Sequence, residues 1–490
     1  MSEISFGTSG WRGIIAEDFT FASLRRAVAA VAAHVREQGQ AEKGLVVGYD
    51  TRFLSDRFAR TAAEVLAGAG VRAFLAERDV PTPVVAHEIL ARGTAGGLML
   101  TASHNPPEWN GLKVSEGTGG PALPEVTQAI AARANALAPD ASIPELPLDE
   151  AEGRGLIARI DPQPRYLARL RELVDFEAIR RARLSVVVDV LYGTARGYLD
   201  AALQGAGASV TVLHADLDPS FGGGAPDPSA RMLVPLARTV GEVGAVAGLA
   251  CDGDADRFGV VDRDGSFVEP NYVLALVLHH LLATRGWPGD AGRSVATTHL
   301  IDAVAHRHGR DVHETPVGFK YLGELIGAGK LVLGGEESAG LSIRGHVPEK
   351  DGILACLLVA EVLAGAGGRT LGALLEDLYR DVGTFRTRRI NLNLTPEAKA
   401  RLVGLLAIPP AEIAGRPVLR VNRLDGVKLL LPDDAWVLLR PSGTEPVLRL
   451  YVEARTDAEL DTLAAATERL LAGEEGDGES SPRRRGDAGG

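Results

Sequence analysis

The stretch 252-DGDAD-256 sets three carboxylates, Asp252, Asp254 and Asp256, at alternate positions with only Gly and Ala between them. Small spacers let such side chains turn inward together, and an all-oxygen donor set suits a hard divalent cation. A calcium-binding EF-hand is excluded, because its sixth position is Arg257 where Gly is needed and its twelfth is Arg263 where Glu is needed. An acidic surface turn is the simpler alternative. Position argues against it, since the motif ends the apolar run 245-AVAGLAC-251 and open α/β sheets gather ligands at the carboxyl ends of their strands. Three protein carboxylates leave coordination positions free, which a phosphate oxygen on Mg2+ would fill.

Four further loops hold residues of matching chemistry. In 101-TASHNP-106, Ser103 is followed by His104 and Asn105. Its hydroxyl could carry a phosphoryl group, or Ser103 and Asn105 could satisfy backbone donors in a turn. No G-x-S-x-G elbow occurs, so a hydrolase triad lacks its usual frame. In 335-GEESAG-340, Glu336 and Ser338 are suited to exchanging hydrogen bonds with polyol hydroxyls, or to lining a solvated turn. In 440-RPSGTEP-446, the guanidinium of Arg440, the hydroxyls of Ser442 and Thr444 and the backbone at Gly443 make a phosphate cradle. Arg12, among the small residues of 7-GTSGWRG-13, is either part of a glycine turn or a fixed cation beside a phosphate. Lys113 and Lys320 read as surface lysines or as proton carriers next to phosphate and sugar oxygens. The dinucleotide, ATP-loop and zinc-peptidase patterns are absent.

The elements that must position these loops recur three times. An apolar run (45-LVVGYD-50, 185-SVVVDV-190, 294-SVATTH-299) leads through a helical pattern to a second run (70-GVRAFLA-76, 207-GASVTVL-213, 309-GRDVHET-315). A Pro-containing loop and another helix follow, and then a third strand that ends in a chemistry-bearing loop at 101, 252 or 335. A short run after each loop returns as an antiparallel neighbour. The expected fold is therefore α/β, three related mixed-sheet domains at 1–162, 163–266 and 267–383. Alternating strands and a closing helix over 458–472 make 384–472 a separate α+β domain, and 138–154 reads as surface or linker. The apolar-free tail 473–490 is expected to be disordered.

Composition narrows the class. A chain of 490 residues with 46% apolar and 24% charged residues is an ordinary globular protein of several domains. A net charge of −12 disfavours nucleic acid or an anionic membrane as partner, and no apolar stretch of spanning length occurs. Two cysteines make no disulfide framework, which with the lack of a signal core places the chain in the cytoplasm. The number of copies in the assembly is left open.

Taken together and in order, the five loops resemble those of the α-D-phosphohexomutase superfamily, the phosphoglucomutases and phosphomannomutases, over residues 5 to 472. The resemblance implies four domains around one cleft, with Ser103 as the phosphorylated serine and a ligand of Mg2+ beside Asp252, Asp254 and Asp256. It implies Arg12, Lys113 and His104 near the transferred group, Lys113 being the first choice for proton transfer and His104 the second. It also implies Arg257, Glu336, Ser338, Lys320, His346, Lys350, Arg440, Ser442, Gly443 and Thr444 as phosphosugar contacts, and a hexose 1,6-bisphosphate as intermediate and activator. The GEESAG loop is nearer to the phosphoglucomutase GEES form than to the GEMSGH form of dual-specificity enzymes or the GEQSGH form of phosphoglucosamine mutases. GTSGWRG points the same way. The expected reaction is interconversion of glucose 1-phosphate and glucose 6-phosphate, with mannose phosphate as the alternative substrate. A phosphosugar phosphatase and a non-catalytic sensor are the remaining rivals.

Overall fold

The structure, a computed structural model, describes residues 3–138, 141–393, 395–441 and 447–473. The chain divides after Val382 into two compact units. Within the first unit, three mixed sheets share one strand order. In the first sheet the central strand Leu45–Tyr49 is flanked in parallel by Ala73–Ala76 and Gly96–Leu100, and Trp109–Glu116 runs antiparallel beside the latter. In the second, Ser185–Asp189 lies between Ser209–Leu213 and Ala247–Cys251, with Phe258–Asp262 antiparallel. The third repeats this with Asp290–Ser294, Val312–Thr315, Leu331–Glu336 and Gly340–Ile343. The first sheet adds the edge strands Trp11–Ile14 and Ile157–Ile160, which the sequence pattern did not reveal.

Each chemistry-bearing loop lies between the third strand of its repeat and that strand's antiparallel neighbour, so equivalent ends of three sheets present 101–106, 252–257 and 336–340. Their strands are buried on both faces, with every residue of Gly96–Leu100, Ala247–Cys251 and Leu331–Glu336 inaccessible. The helix Gly352–Gly365 is apolar around most of its circumference and buried nearly throughout, capped by Asp351, whose carboxylate accepts from Leu354 N at 2.9 Å.

Several expectations need correction. The third repeat's first strand is Asp290–Ser294, and 295–299 is already the loop beyond it. The short Gly292-containing strand carries little apolar signal, which drew the expectation downstream. The second sheet ends on Phe267–Val268, just past residue 266, because a turn at Asp264 and Gly265 folds the chain back on Phe258–Asp262. Part of the stretch read as linker straps the first domain instead: Ile143, Leu146 and Leu148 pack on its core, and Leu148 N donates to Glu64 Oε1 at 3.1 Å. Pro and acid residues masked those three apolar anchors.

The second unit is a five-stranded antiparallel sheet, in the order Arg386–Asn393, Val447–Ala454, Trp436–Pro441, Val427–Leu430, Arg420–Asn422, packed with the helices Pro396–Ala407 and Asp457–Ala472 around its own apolar core. Within it, Arg420–Asn422 and Val427–Leu430 form a hairpin that turns at Gly426, where φ is +85°. Residues 474–490 of the tail lie outside the described residues.

Candidate active site

Ser103 occupies the left-handed region with φ +54°, an uncommon conformation for a residue with a side chain. It is buried, and its hydroxyl donates to Asp252 Oδ2 at 2.7 Å. Gly253 makes this approach possible: a Cβ there would lie 2.7 Å from Ser103 O and 2.9 Å from Pro226 Cγ, closer than real side chains allow. The seryl and acidic loops of two domains therefore meet backbone to backbone.

All three aspartates are inaccessible, and one oxygen from each lies within 4.8 Å of the others. Among the described residues no other such cluster of three occurs. Asp252 Oδ1 accepts from Arg257 N at 3.0 Å. Lys113 Nζ donates to Asp254 Oδ2 and Asp256 Oδ2, both at 2.6 Å, and Lys350 Nζ lies 3.2 Å from Asp256 Oδ2. Thr82 Oγ1, at the start of helix Thr82–Arg92, also donates to Asp254 Oδ2. Asp254 Oδ1 and Asp256 Oδ1 remain buried without a hydrogen-bond partner. Unsatisfied buried carboxylate oxygens are costly, so the donor set fits a small divalent cation with oxygen preference. Burial and the nearby charges of Asp254 and Asp256 push Asp252 well above the usual carboxylate range. That crowding is relieved by added positive charge.

Cations and a neutral base surround the serine. Arg12 donates to Asn105 Oδ1 at 2.7 Å. His104 Nδ1 is 3.3 Å from Ser103 Oγ, and burial together with Arg257 and Arg12 holds its ring well below the usual histidine range, hence neutral. Burial opposes the charge on Lys113, but Asp254 and Asp256 outweigh it and raise its pKa, so this lysine stands as a cation. Burial likewise opposes Arg257, whose charge is secured by Asp256 and Asp252.

From the third domain, Glu336 is buried and its Oε1 accepts from Gly318 N at 2.7 Å. Burial, then Glu337, pushes the Glu336 carboxyl up to about 7. Ser338 is half-buried in the turn between Leu331–Glu336 and Gly340–Ile343, whose base Glu337 secures by accepting from Ser294 Oγ at 3.1 Å. Lys320 joins Lys113, Glu349 and Lys350 around a cavity of about 220 Å3 beside Thr8 and Ser9. His346 departs from the expected substrate contacts. Its side chain has no accessible surface, and Nε2 pairs with Asp351 Oδ2 at 2.7 Å, which Tyr166 OH also reaches at 2.6 Å. The ring is drawn into that buried network by Asp351, which caps the adjoining helix. In the second unit, Arg440 Nε donates to Asp425 Oδ2 at 2.9 Å, and Ser442, Gly443 and Thr444 lie outside the described residues.

Sequence reasoning missed Asp50, Thr101 and Arg52, which frame Ser103 from beneath. The signal available was an Asp-Thr-Arg run, residues 50–52, directly after the strand Leu45–Tyr49.

A buried serine hydroxyl against an acidic cluster that could hold a metal ion, with fixed positive charge around both, is an arrangement that suits a phosphosugar mutase. Four family models match in sequence order: phosphoglucomutase/phosphomannomutase alpha/beta/alpha domain I over 3–140, domain II over 164–265, domain III over 269–382, and the C-terminal domain over 398–470. The chain is 33% identical to a phosphoglucomutase of Komagataeibacter xylinus, over 92% of this chain and 87% of that one. It is 34% identical to a phosphoglucosamine mutase of Frankia alni, over 92% and 94%. A solved structure of a putative phosphomannomutase from Thermus thermophilus superposes with a TM-score of 0.84 at 34% identity, covering 96% of this chain and 99% of that one. The chain belongs to the phosphoglucomutase/phosphomannomutase family of α-D-phosphohexomutases and is an enzyme of the isomerase class.

Proposed function

We propose that this phosphohexomutase interconverts glucose 1-phosphate and glucose 6-phosphate through a phosphorylated Ser103 and a glucose 1,6-bisphosphate intermediate. The observation that carries the reading is the 2.7 Å contact between Ser103 Oγ and Asp252 Oδ2, which sets the acceptor oxygen at the edge of a cation site. In one half-reaction the Ser103 Oγ–P bond breaks and a bond from phosphorus to a sugar oxygen forms. The hydroxyl proton passes to a neighbouring base, and the reverse transfer from the other phosphate restores phosphoserine. A magnesium ion bound by Asp252, Asp254 and Asp256 supplies charge neutralisation for the transferring group. Arg12 and Arg257 add fixed positive charge, so the chain's work is chiefly positioning and electrostatics.

Lys113, doubly paired with Asp254 and Asp256, serves as a further cation, and His104, whose Nδ1 lies 3.3 Å from Ser103 Oγ, takes the hydroxyl proton. Glu336 and Ser338 take sugar hydroxyls, with Lys320 and Lys350 toward a phosphate. The loop beginning at Arg440 takes the phosphate not in transfer. Glucose is favoured over mannose or glucosamine because the loop 335–340 reads GEESAG, nearer to the phosphoglucomutase form than to the GEMSGH or GEQSGH forms. Relatives named for all three sugars make this the open choice within the family. Two buried free cysteines, and no described helix long and apolar enough to cross a membrane, support work in a reducing cytoplasm.

The test is Ser103→Ala. Turnover should fall by roughly 10^4-fold or more and acid-stable labelling by glucose 1,6-bisphosphate should vanish. Label retained in that variant would overturn the phosphoserine. A panel of sugar 1-phosphates should show the highest kcat/KM for glucose 1-phosphate; a higher value for mannose or glucosamine 1-phosphate would overturn the sugar assignment. Steady release of inorganic phosphate matching sugar turnover would make water the acceptor.

A further inference from the structure

Beneath the candidate nucleophile lies a buried pair with no part in the reaction drawn above. Asp50 and Arg52 follow the strand Leu45–Tyr49, and their side chains are wholly inaccessible with Arg52 Nε 3.1 Å from Asp50 Oδ2. From this pair two routes lead to Ser103. Asp50 Oδ2 accepts from Thr101 Oγ1 at 2.6 Å, and Thr101 Oγ1 in turn accepts from Ser103 N at 2.8 Å. On the other side, one guanidinium nitrogen of Arg52 donates to Ser103 O and Asn105 O, both at 2.6 Å. The other donates to Pro106 O at 2.7 Å and Trp109 O at 3.0 Å.

Four carbonyls of the segment 103–109 thus converge on a single side chain. Buried carbonyls need partners, and a strained residue persists only where its surroundings over-determine it. Ser103 is such a residue, with φ +54°, its amide held by Thr101 Oγ1, which Asp50 orients, and its carbonyl held by Arg52. A planar fork with several donors in fixed directions can serve four carbonyls and a carboxylate at once, whereas a lysine ammonium cannot. The pair also reaches the domain that carries the acidic loop. The ring of Phe221 lies 5.0 Å from the Arg52 guanidinium carbon, and Thr51 Oγ1 donates to Tyr192 O at 2.8 Å.

We infer that Asp50 and Arg52 are positioning residues that hold Ser103 in its left-handed conformation and so aim its hydroxyl at Asp252, with Phe221 covering the clamp from the neighbouring domain. This rests on the mutase reading above. The clamp acts on the nucleophile and not on the sugar, so its loss lowers kcat and the rate of Ser103 phosphorylation and leaves KM in place. Displacements of about 1 Å near a reacting centre cost on the order of 100-fold.

The experiment compares the full-length wild type with Arg52→Lys, Arg52→Ala and Phe221→Leu. It measures Ser103 labelling by glucose 1,6-bisphosphate, kcat and KM for glucose 1-phosphate, and Mg2+ binding by calorimetry. Arg52→Lys should lose about 100-fold in kcat and labelling rate, with KM and Mg2+ affinity within about twofold. Added guanidinium should restore part of the Arg52→Ala rate, and Phe221→Leu should show the same kcat-selective loss in milder form. Wild-type kcat in Arg52→Lys, or a loss shared equally by KM and Mg2+ affinity, would overturn the clamp. If Arg52→Ala does not fold, the other two variants decide. A wild type that takes no label on Ser103 would overturn the mutase reading itself, and the clamp with it; a labelled wild type beside an equally labelled Arg52→Lys would overturn the clamp alone.

Discussion

A single carboxyl, that of Glu336, illustrates how the site tunes its residues. That carboxyl is pushed up to about 7, first by burial and then by Glu337, so its charge changes near neutral pH. In its proposed role toward sugar hydroxyls, it would be an ionised acceptor above that pH and a neutral acid making weaker bonds below it. KM for glucose 1-phosphate should therefore rise as pH falls through 7. Glu336→Gln should raise KM about tenfold at pH 8 and remove the part of the pH dependence that wild type and variant do not share. Equal pH profiles for the two would dismiss the contact. If Arg440 has the proposed phosphate-binding role, Arg440→Ala should raise KM for both monophosphates about tenfold and lower kcat; an unchanged profile moves phosphate recognition elsewhere. At this scale the residue types were legible because few side chains suit a hard cation or a phosphate. His346 was misplaced because a histidine four residues before Lys350 need not share that lysine's direction, and Asp351 draws the ring into a buried network.

Between elements, the decisive feature is how closely two loops approach. Gly253 is needed for room and not for its φ, since Ser103 O and Pro226 occupy the space of a Cβ. Gly253→Ala should separate the seryl and acidic loops by a fraction of an ångström to about 1 Å and cut Ser103 labelling about 100-fold, with weakened Mg2+ binding by calorimetry. Normal labelling and Mg2+ affinity in that variant would mean that the loops yield without cost. The repeat of strands and helices was readable from hydrophobic period and length, and the shared strand order follows from it. What period does not carry is the edge strand Trp11–Ile14, paired to Trp109–Glu116 across nearly a hundred residues, or the strap at 143–148. Both are fixed by long-range packing onto a sheet that local patterns do not describe.

For the molecule as a whole, acid stability depends on where the first unit's three domains join. His87, on the helix Thr82–Arg92, sets its ring edge against Tyr166, and its Nδ1 is buried without a hydrogen-bond partner. Burial, followed by the charges near it on His346 and Arg169, lowers its pKa to about 4. The unfolded chain, titrating near 6.5, then binds more protons than the folded one between the two values. Stability contributed by the neutral ring is complete above about 6.5 and is lost as pH falls through 4. His87→Phe should flatten the fall in unfolding free energy of the intact chain between pH 6.5 and 4; the same slope in both proteins would remove His87 as a cause.

The amino-acid sequence determined which chemistry the chain holds and the order in which it is met, because metal, phosphate and polyol ligands each demand particular side chains and because strand and helix periods are local. Tertiary structure alone decided that Ser103 lies in contact with Asp252, 149 residues away, and that four carbonyls close on Arg52. Distances of that kind arise from packing between domains, through contacts such as Gly253 on Ser103 O, and no local pattern of residues encodes them.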